Sequence, residues 1–159
     1  MRLDYTKAAP EGVRAVYGLQ NYISHHTKLE EKLLHLVEMR ASQINGCAFC
    51  LHLHALQLRA LGESEIRIDC LSTWEETDLY SDRERAALAW TETVTRVSET
   101  HVPDEAFEAA HKAFDERELA DLTLTIAMIN VWNRLAISFR QDPATAQRVI
   151  EQSRAAAAR

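Results

Sequence analysis

The chain has 159 residues, 47% of them hydrophobic, and a formal net charge of −6 at pH 7, enough for one domain with its own core. That acidic balance leaves no surplus of cations to displace counterions from a phosphate backbone, so nucleic acid is not an expected partner. The amino terminus, Met1-Arg2-Leu3-Asp4-Tyr5, carries charges early and no apolar stretch of the kind a signal peptide or membrane span needs, so a cytoplasmic protein without a membrane partner is expected.

Only 4 Gly and 3 Pro occur, and Ala, Leu, Glu and Arg are abundant, which predicts an all-α, single-domain multi-helix bundle over residues 1–159. A first helix follows Pro10 and turns Val13, Val16, Tyr17, Gln20 and Ile23 inward. Thr27-Lys28-Leu29-Glu30 has capping-box spacing and predicts a second helix running to about Gln43, broken at Asn45-Gly46. The third helix starts at Gly46 or Cys47, ends near Gly62, and is apolar all round, which predicts cover on most of its sides by the bundle or by another subunit.

Glu63 to Asp69 reads as a short helix, followed by an irregular stretch around Trp74 to Tyr80. Cys70 is expected to be a small buried hydrophobe. Ser81-Asp82-Arg83-Glu84 is a second capping box, opening a helix with Ala87, Trp90, Val94 and Val97 on one face. Pro103-Asp104 starts a shorter helix with Phe107, Ala110, His111 and Phe114. The longest apolar-periodic segment runs from about Glu118 to Phe139, Asp142-Pro143 ends it, and a last helix is expected to fray toward Arg159.

Three cysteines are too few, and odd in number, for a disulfide scaffold. Two of them form Cys47-Ala48-Phe49-Cys50, a spacing that points to redox or metal chemistry. On a helix these two share a face, and His54, four residues beyond Cys50, stacks above it, while His52 points away. A base over a buried thiol takes its proton and stabilises the thiolate.

His54 lies one turn from Cys50 but about 10 Å from Cys47, so reach makes Cys50 the attacking thiolate and Cys47 the resolving thiol. The helix dipole argues the other way, for Cys47, but proton removal requires an acceptor within hydrogen-bond reach. Half a zinc site is a weaker reading, since His52 and His54 face opposite sides of the helix. His25, His26, His52, His101 and His111 are expected to be surface or satisfied core residues.

The run Ser42-Gln43-Ile44-Asn45-Gly46-Cys47-Ala48-Phe49-Cys50, followed by His54, resembles the alkylhydroperoxidase-D-like branch of the carboxymuconolactone decarboxylase family. The likeness extends to Asp4-Tyr5, Pro10, the stretch from Ser81 to Trp90, and Asn130-Val131-Trp132-Asn133-Arg134-Leu135. The resemblance implies an all-helical fold and a homo-oligomer, trimer or hexamer. It implies a peroxidase or disulfide oxidoreductase acting through a redox-active Cys47–Cys50 disulfide, with no other cofactor. A small hydroperoxide would oxidise Cys50 to a sulfenic acid, Cys47 would condense with it, and a lipoyl or thioredoxin-like dithiol donor would reduce the disulfide.

One position departs from the pattern: twelve residues before Cys47, where the family carries a relay glutamate, this chain has His35. Glu38 or Glu31, each about one turn away, could supply the carboxylate, or His35 could itself pass protons through His54. Two other functions fit the residues less closely: lactone decarboxylation, and a non-enzymatic redox sensor whose disulfide alters subunit packing.

Overall fold

Several helix starts in this chain are set by short side chains that accept otherwise orphaned N–H groups. The computed structural model describes residues 1–157, with side chains through residue 152. Asp4 accepts from the N–H groups of Thr6 and Lys7 and opens a one-turn helix, α1 (Tyr5–Ala8), which the periodicity did not signal. Pro10 occupies the first position of α2 (Pro10–His26), as expected. Val13 and Ile23 of α2 are buried, whereas Tyr17 is half exposed and lies 5.0 Å, ring to ring, from Trp132.

The capping box expected at Thr27 does not form. The Thr27 hydroxyl donates backward to the Ile23 carbonyl at 2.9 Å, and α3 (Glu31–Asn45) starts after Glu30 with no side-chain cap. Leu29, in the link between the two helices, is buried. The Ser81 box does form and opens α6 (Asp82–Thr95); Asp115 makes a further box with Glu118 and starts α9 (Glu116–Phe139) two residues before the expected Glu118.

The third expected helix is α4 (Ala48–Ala60), with Cys47 as its N-cap residue rather than inside its first turn. After it come α5 (Glu65–Asp69) and a 3₁₀ segment, Cys70–Glu76, that extends helical structure into part of the stretch read as irregular. Cys70 is half-buried rather than buried, because Ile68 and Leu71 on either side take the core positions. Val97 is exposed in a separate turn, α7 (Val97–Thr100), so it leaves the face that Ala87 and Trp90 share. Helix α8 (Asp104–Ala113) buries Ala110 and leaves Phe107 half exposed. The last helix is α10 (Ala146–Ala157); its expected fraying toward Arg159 lies outside the described residues.

Three apolar clusters form the core, and α3 contributes to each: Leu33 and Val37 to one, Leu36 and Met39 to the second, Ala41 to the third. Within this chain α3 is the helix covered on most sides, and Leu51, Leu53 and Leu56 of α4 stay partly buried. The charges on α3 hid this in the sequence, because Glu38 and Arg40 are paired inside the fold. Helix α9 is long and apolar enough by composition to cross a bilayer; here Leu122, Ile126 and Met128 pack into the core, as a central bundle helix does.

Candidate functional site

The turn between α3 and α4 builds the site. Gly46 adopts φ 71°, a left-handed conformation that glycine reaches without Cβ strain. Its N–H bonds the Gln43 carbonyl at 3.2 Å, and the Cys47 N–H bonds the Ser42 carbonyl at 3.0 Å. These bonds satisfy the last carbonyls of α3 and fold the chain back within two residues. Helix α4 then runs antiparallel along α3. Glu38 lies eight residues before Gly46 and His54 eight after it, so the hairpin sets them opposite each other.

All five candidate residues (Cys47, Cys50, His54, His35 and Glu38) gather in one region. His52 is exposed, as are His25, His26, His101 and His111. Both thiols are free and buried. Cys50 N–H donates to Cys47 Sγ at 3.4 Å, so the first sulfur caps the helix that carries the second.

Glu38, only 4% exposed, accepts from or is paired with two imidazoles. His35 Nδ1 lies 2.7 Å from its Oε2, a hydrogen bond, and His54 Nδ1 lies 3.3 Å from the same oxygen. The second contact is off the hydrogen-bond axis. Neither ring nitrogen of the buried His54 has a hydrogen-bond partner among the described residues. Glu31 reaches His35 Nε2 only at 3.9 Å and is largely solvent-exposed. Of the two carboxylates considered from sequence, Glu38 is thus the one in contact with His54.

The charges follow from these contacts. Burial pushes the His35 pKa down, but the Glu38 hydrogen bond and the charges of Glu38 and Glu31 outweigh it, and the net shift is upward. Burial pushes Glu38 up, and the two imidazoles bring it below the usual carboxylate value. His54 falls to about 4, chiefly by desolvation. At neutral pH Glu38 is therefore a carboxylate and His54 a neutral imidazole, and the contact with Glu38 favours the imidazolium form of His35.

At the sulfurs, the Cys50 thiol and the Cys50 and Phe49 N–H groups lower Cys47 against the cost of burial, with help from the Asn133 amide. The same interaction with Cys47, together with burial, raises Cys50. The first proton to leave the pair thus leaves Cys47, whereas reach alone favoured Cys50. The largest cause is the Cys50 thiol, and the Cys50 and Phe49 N–H groups at the N-cap add to it.

His35, Glu38 and His54 offer donor atoms within 4.8 Å of one another, a spacing compatible with a metal ion. The 2.7 Å His35–Glu38 contact is hydrogen-bond separation. Two ligands of a tetrahedral zinc, with bonds of about 2.0–2.1 Å, sit about 3.3 Å apart. The His35–Glu38 contact is thus a hydrogen bond, too short for two ligands of one zinc, with His54 beside it.

The sulfurs open onto different cavities. Cys50, His54 and Glu38 line one of about 200 Å³ with Leu53, Ile129 and Trp132. Cys47 lines another of about 300 Å³ with Ile137, Arg140 and Pro143. Phe49, Ala136 and Gln141 wall both. Tyr5, held protonated by burial that pushes its pKa up to about 12, donates to Gln141 Oε1 at 2.5 Å and closes one side of the Cys50 cavity.

Residues 10–93 match the sequence profile of the carboxymuconolactone decarboxylase family. The chain belongs to that family. Within it the chain is of the alkylhydroperoxidase-D-like branch. The uncharacterized protein YdfG of Bacillus subtilis (strain 168) is 39% identical over 137 residues, 86% of this chain and 92% of its own length.

A crystal structure from Agrobacterium tumefaciens, of a protein of unknown function proposed to act in antioxidant defence as an AhpD, is 43% identical. It superposes with a TM-score of 0.85 over 89% of this chain and 96% of its own. The debrominase Bmp8, in complex with 2,3,4-tribromopyrrole, shares the fold at 20% identity, with a TM-score of 0.79 over 93% of this chain and 79% of its own. The fold therefore serves more than one reaction.

Sequence reasoning did not single out Asn133. It is fully buried on α9, where its Nδ2 donates to Ser42 Oγ at 3.0 Å and its Oδ1 accepts from Asn45 Nδ2 at 2.8 Å. A polar residue repeating in register with buried apolar positions of a core helix was the available signal.

Proposed function

We propose that the chain is a thiol-dependent oxidoreductase that reduces hydroperoxides through the Cys47–Cys50 dithiol. The observation that carries this reading is that Cys50 and His54 share one cavity, with Glu38 backing His54. The Cys50 proton moves to the Cys47 thiolate with which it interacts. The Cys50 thiolate then attacks the terminal peroxide oxygen and the O–O bond breaks. His54 hands a proton to the departing alkoxide and draws another from the Glu38–His35 pair.

Cys47 condenses with the Cys50 sulfenic acid, and water leaves as the disulfide forms. An external dithiol, lipoyl or thioredoxin-like, restores both thiols by exchange. The same reading takes the cytosol as the compartment, where thiols stay reduced, and a homo-oligomer, trimer or hexamer, as the assembly.

Counting free thiols after one equivalent of cumene hydroperoxide tests this. Two thiols should disappear per peroxide consumed, and Cys50→Ser should abolish the reaction while a trapping reagent finds sulfenic acid on Cys50 in Cys47→Ser. A dithiol that persists beside unconsumed hydroperoxide overturns the reading.

A further inference from the structure

A third cavity, of about 240 Å³, lies behind the relay. It is lined by Glu31, His35 and Gln57, among others, and shares Gln20, Leu53 and Val149 with the Cys50 cavity. Those three side chains stand as a partition. On one side are Cys50, His54 and Glu38; on the other are His35 and Glu31. The chain His54–Glu38–His35–Glu31, with separations of 3.3, 2.7 and 3.9 Å, crosses it. Its last two members run from a side chain 14% exposed to one 70% exposed.

Proton balance gives this path a task. Above the pKa of Cys47 the reduced pair holds one thiolate and one thiol. Oxidation then reads thiolate plus thiol plus hydroperoxide plus one proton, giving disulfide, alcohol and water. Reduction by two donor thiols returns that proton. A hydroperoxide in the Cys50 cavity would displace water from the His54 side of the relay.

We propose that this proton enters from the third cavity through His35, with Glu31 at the mouth, so that substrate and proton use separate openings. The proposal rests on the peroxidase reading above. His35 and Glu31 touch no substrate; they act through Glu38 and His54. His35 stands where the family pattern has a glutamate, and an imidazole there exchanges protons near neutral pH.

Single-turnover oxidation of the reduced protein by cumene hydroperoxide, followed by thiol loss, tests it. His35→Ala should slow oxidation roughly tenfold or more, and added imidazole, which fits the enlarged cavity, should restore much of the rate. His35→Gln, which keeps a donor to Glu38 and so guards against a folding defect, should be slow as well. Glu31→Gln should be slowed less, and most at low buffer concentration. A His35→Ala protein as fast as the wild type overturns the inference and leaves the peroxidase reading intact. Slowing that imidazole does not relieve also overturns it, since His35 would then only support the structure. A wild-type protein that leaves hydroperoxide untouched overturns both.

Discussion

Asn133 on α9 donates to Ser42 Oγ on α3 at 3.0 Å and also accepts from Asn45. Ser42 Oγ in turn donates to the Glu38 carbonyl at 2.7 Å. One buried amide thereby ties the end of α3, the Gly46 turn and α9 together beneath the cysteines. Asn133→Ala leaves Ser42 and Asn45 short of a partner inside the fold. It should cost about 2–4 kcal/mol in urea unfolding, and Cys47 should alkylate more slowly near neutral pH than in the wild type. A variant as stable as the wild type would show that water replaces the amide.

The charge distribution at the pair is directly readable. Limited iodoacetamide treatment near neutral pH, followed by peptide mapping, should label Cys47 ahead of Cys50, because N–H groups and the Cys50 thiol stabilise the Cys47 thiolate. In Cys47→Ser the strongest influence raising Cys50 is gone, and Cys50 should alkylate at lower pH than it does in the intact pair. Cys50 labelled first in the wild type would reverse the assignment.

His54 makes stability fall on the acid side. Its pKa drops from the usual 6.5 to about 4 on folding, so below pH 6.5 the unfolded chain binds a proton that the folded one refuses. The stabilisation is complete above pH 6.5 and is lost as pH falls toward 4. Between pH 6.5 and 5 that loss is about 2 kcal/mol.

His35 runs the opposite way, since its raised pKa gives stability that is complete below 6.5 and lost as pH rises through the folded value. Glu38, lowered, contributes above its usual value of 4.5 and loses that contribution only at lower pH. The window from 5 to 6.5 therefore isolates His54, and His54→Gln should remove the pH slope there. An unchanged slope in urea midpoints would assign it elsewhere.

The two threonine and aspartate caps differ in worth. Asp115 accepts from the Glu118 N–H at the start of α9, so Asp115→Ala should cost about 1 kcal/mol. Thr27 caps no α3 N–H and only returns a bond to Ile23, so Thr27→Ala should cost a few tenths. Thermal midpoints of the two variants, compared at one pH, separate these outcomes.

Local chemistry made much of this protein legible in its sequence. The helix starts at Pro10 and Ser81, the break at Gly46, the shared face of Cys50 and His54, and the exclusion of His52 all depend on residues within a turn or two of each other. Spacing along one helix determines them, and the tertiary fold leaves them alone.

The partner of His54 is a different kind of fact. Glu31, His35 and Glu38 lie on one helix at similar spacing, and nothing local ranks them. The two-residue turn at Gly46 does, by placing opposite His54 the residue an equal number of steps back along α3. The thiolate shifted to Cys47 through contacts too, chiefly the Cys50 thiol, with the Cys50 and Phe49 N–H groups and the Asn133 amide of α9 adding to it. The sequence by itself determined which side chains are the candidates for the chemistry. Their pairing, their charges and the separate cavities they face were decided only when α3, α4 and α9 packed against one another and took those groups out of water.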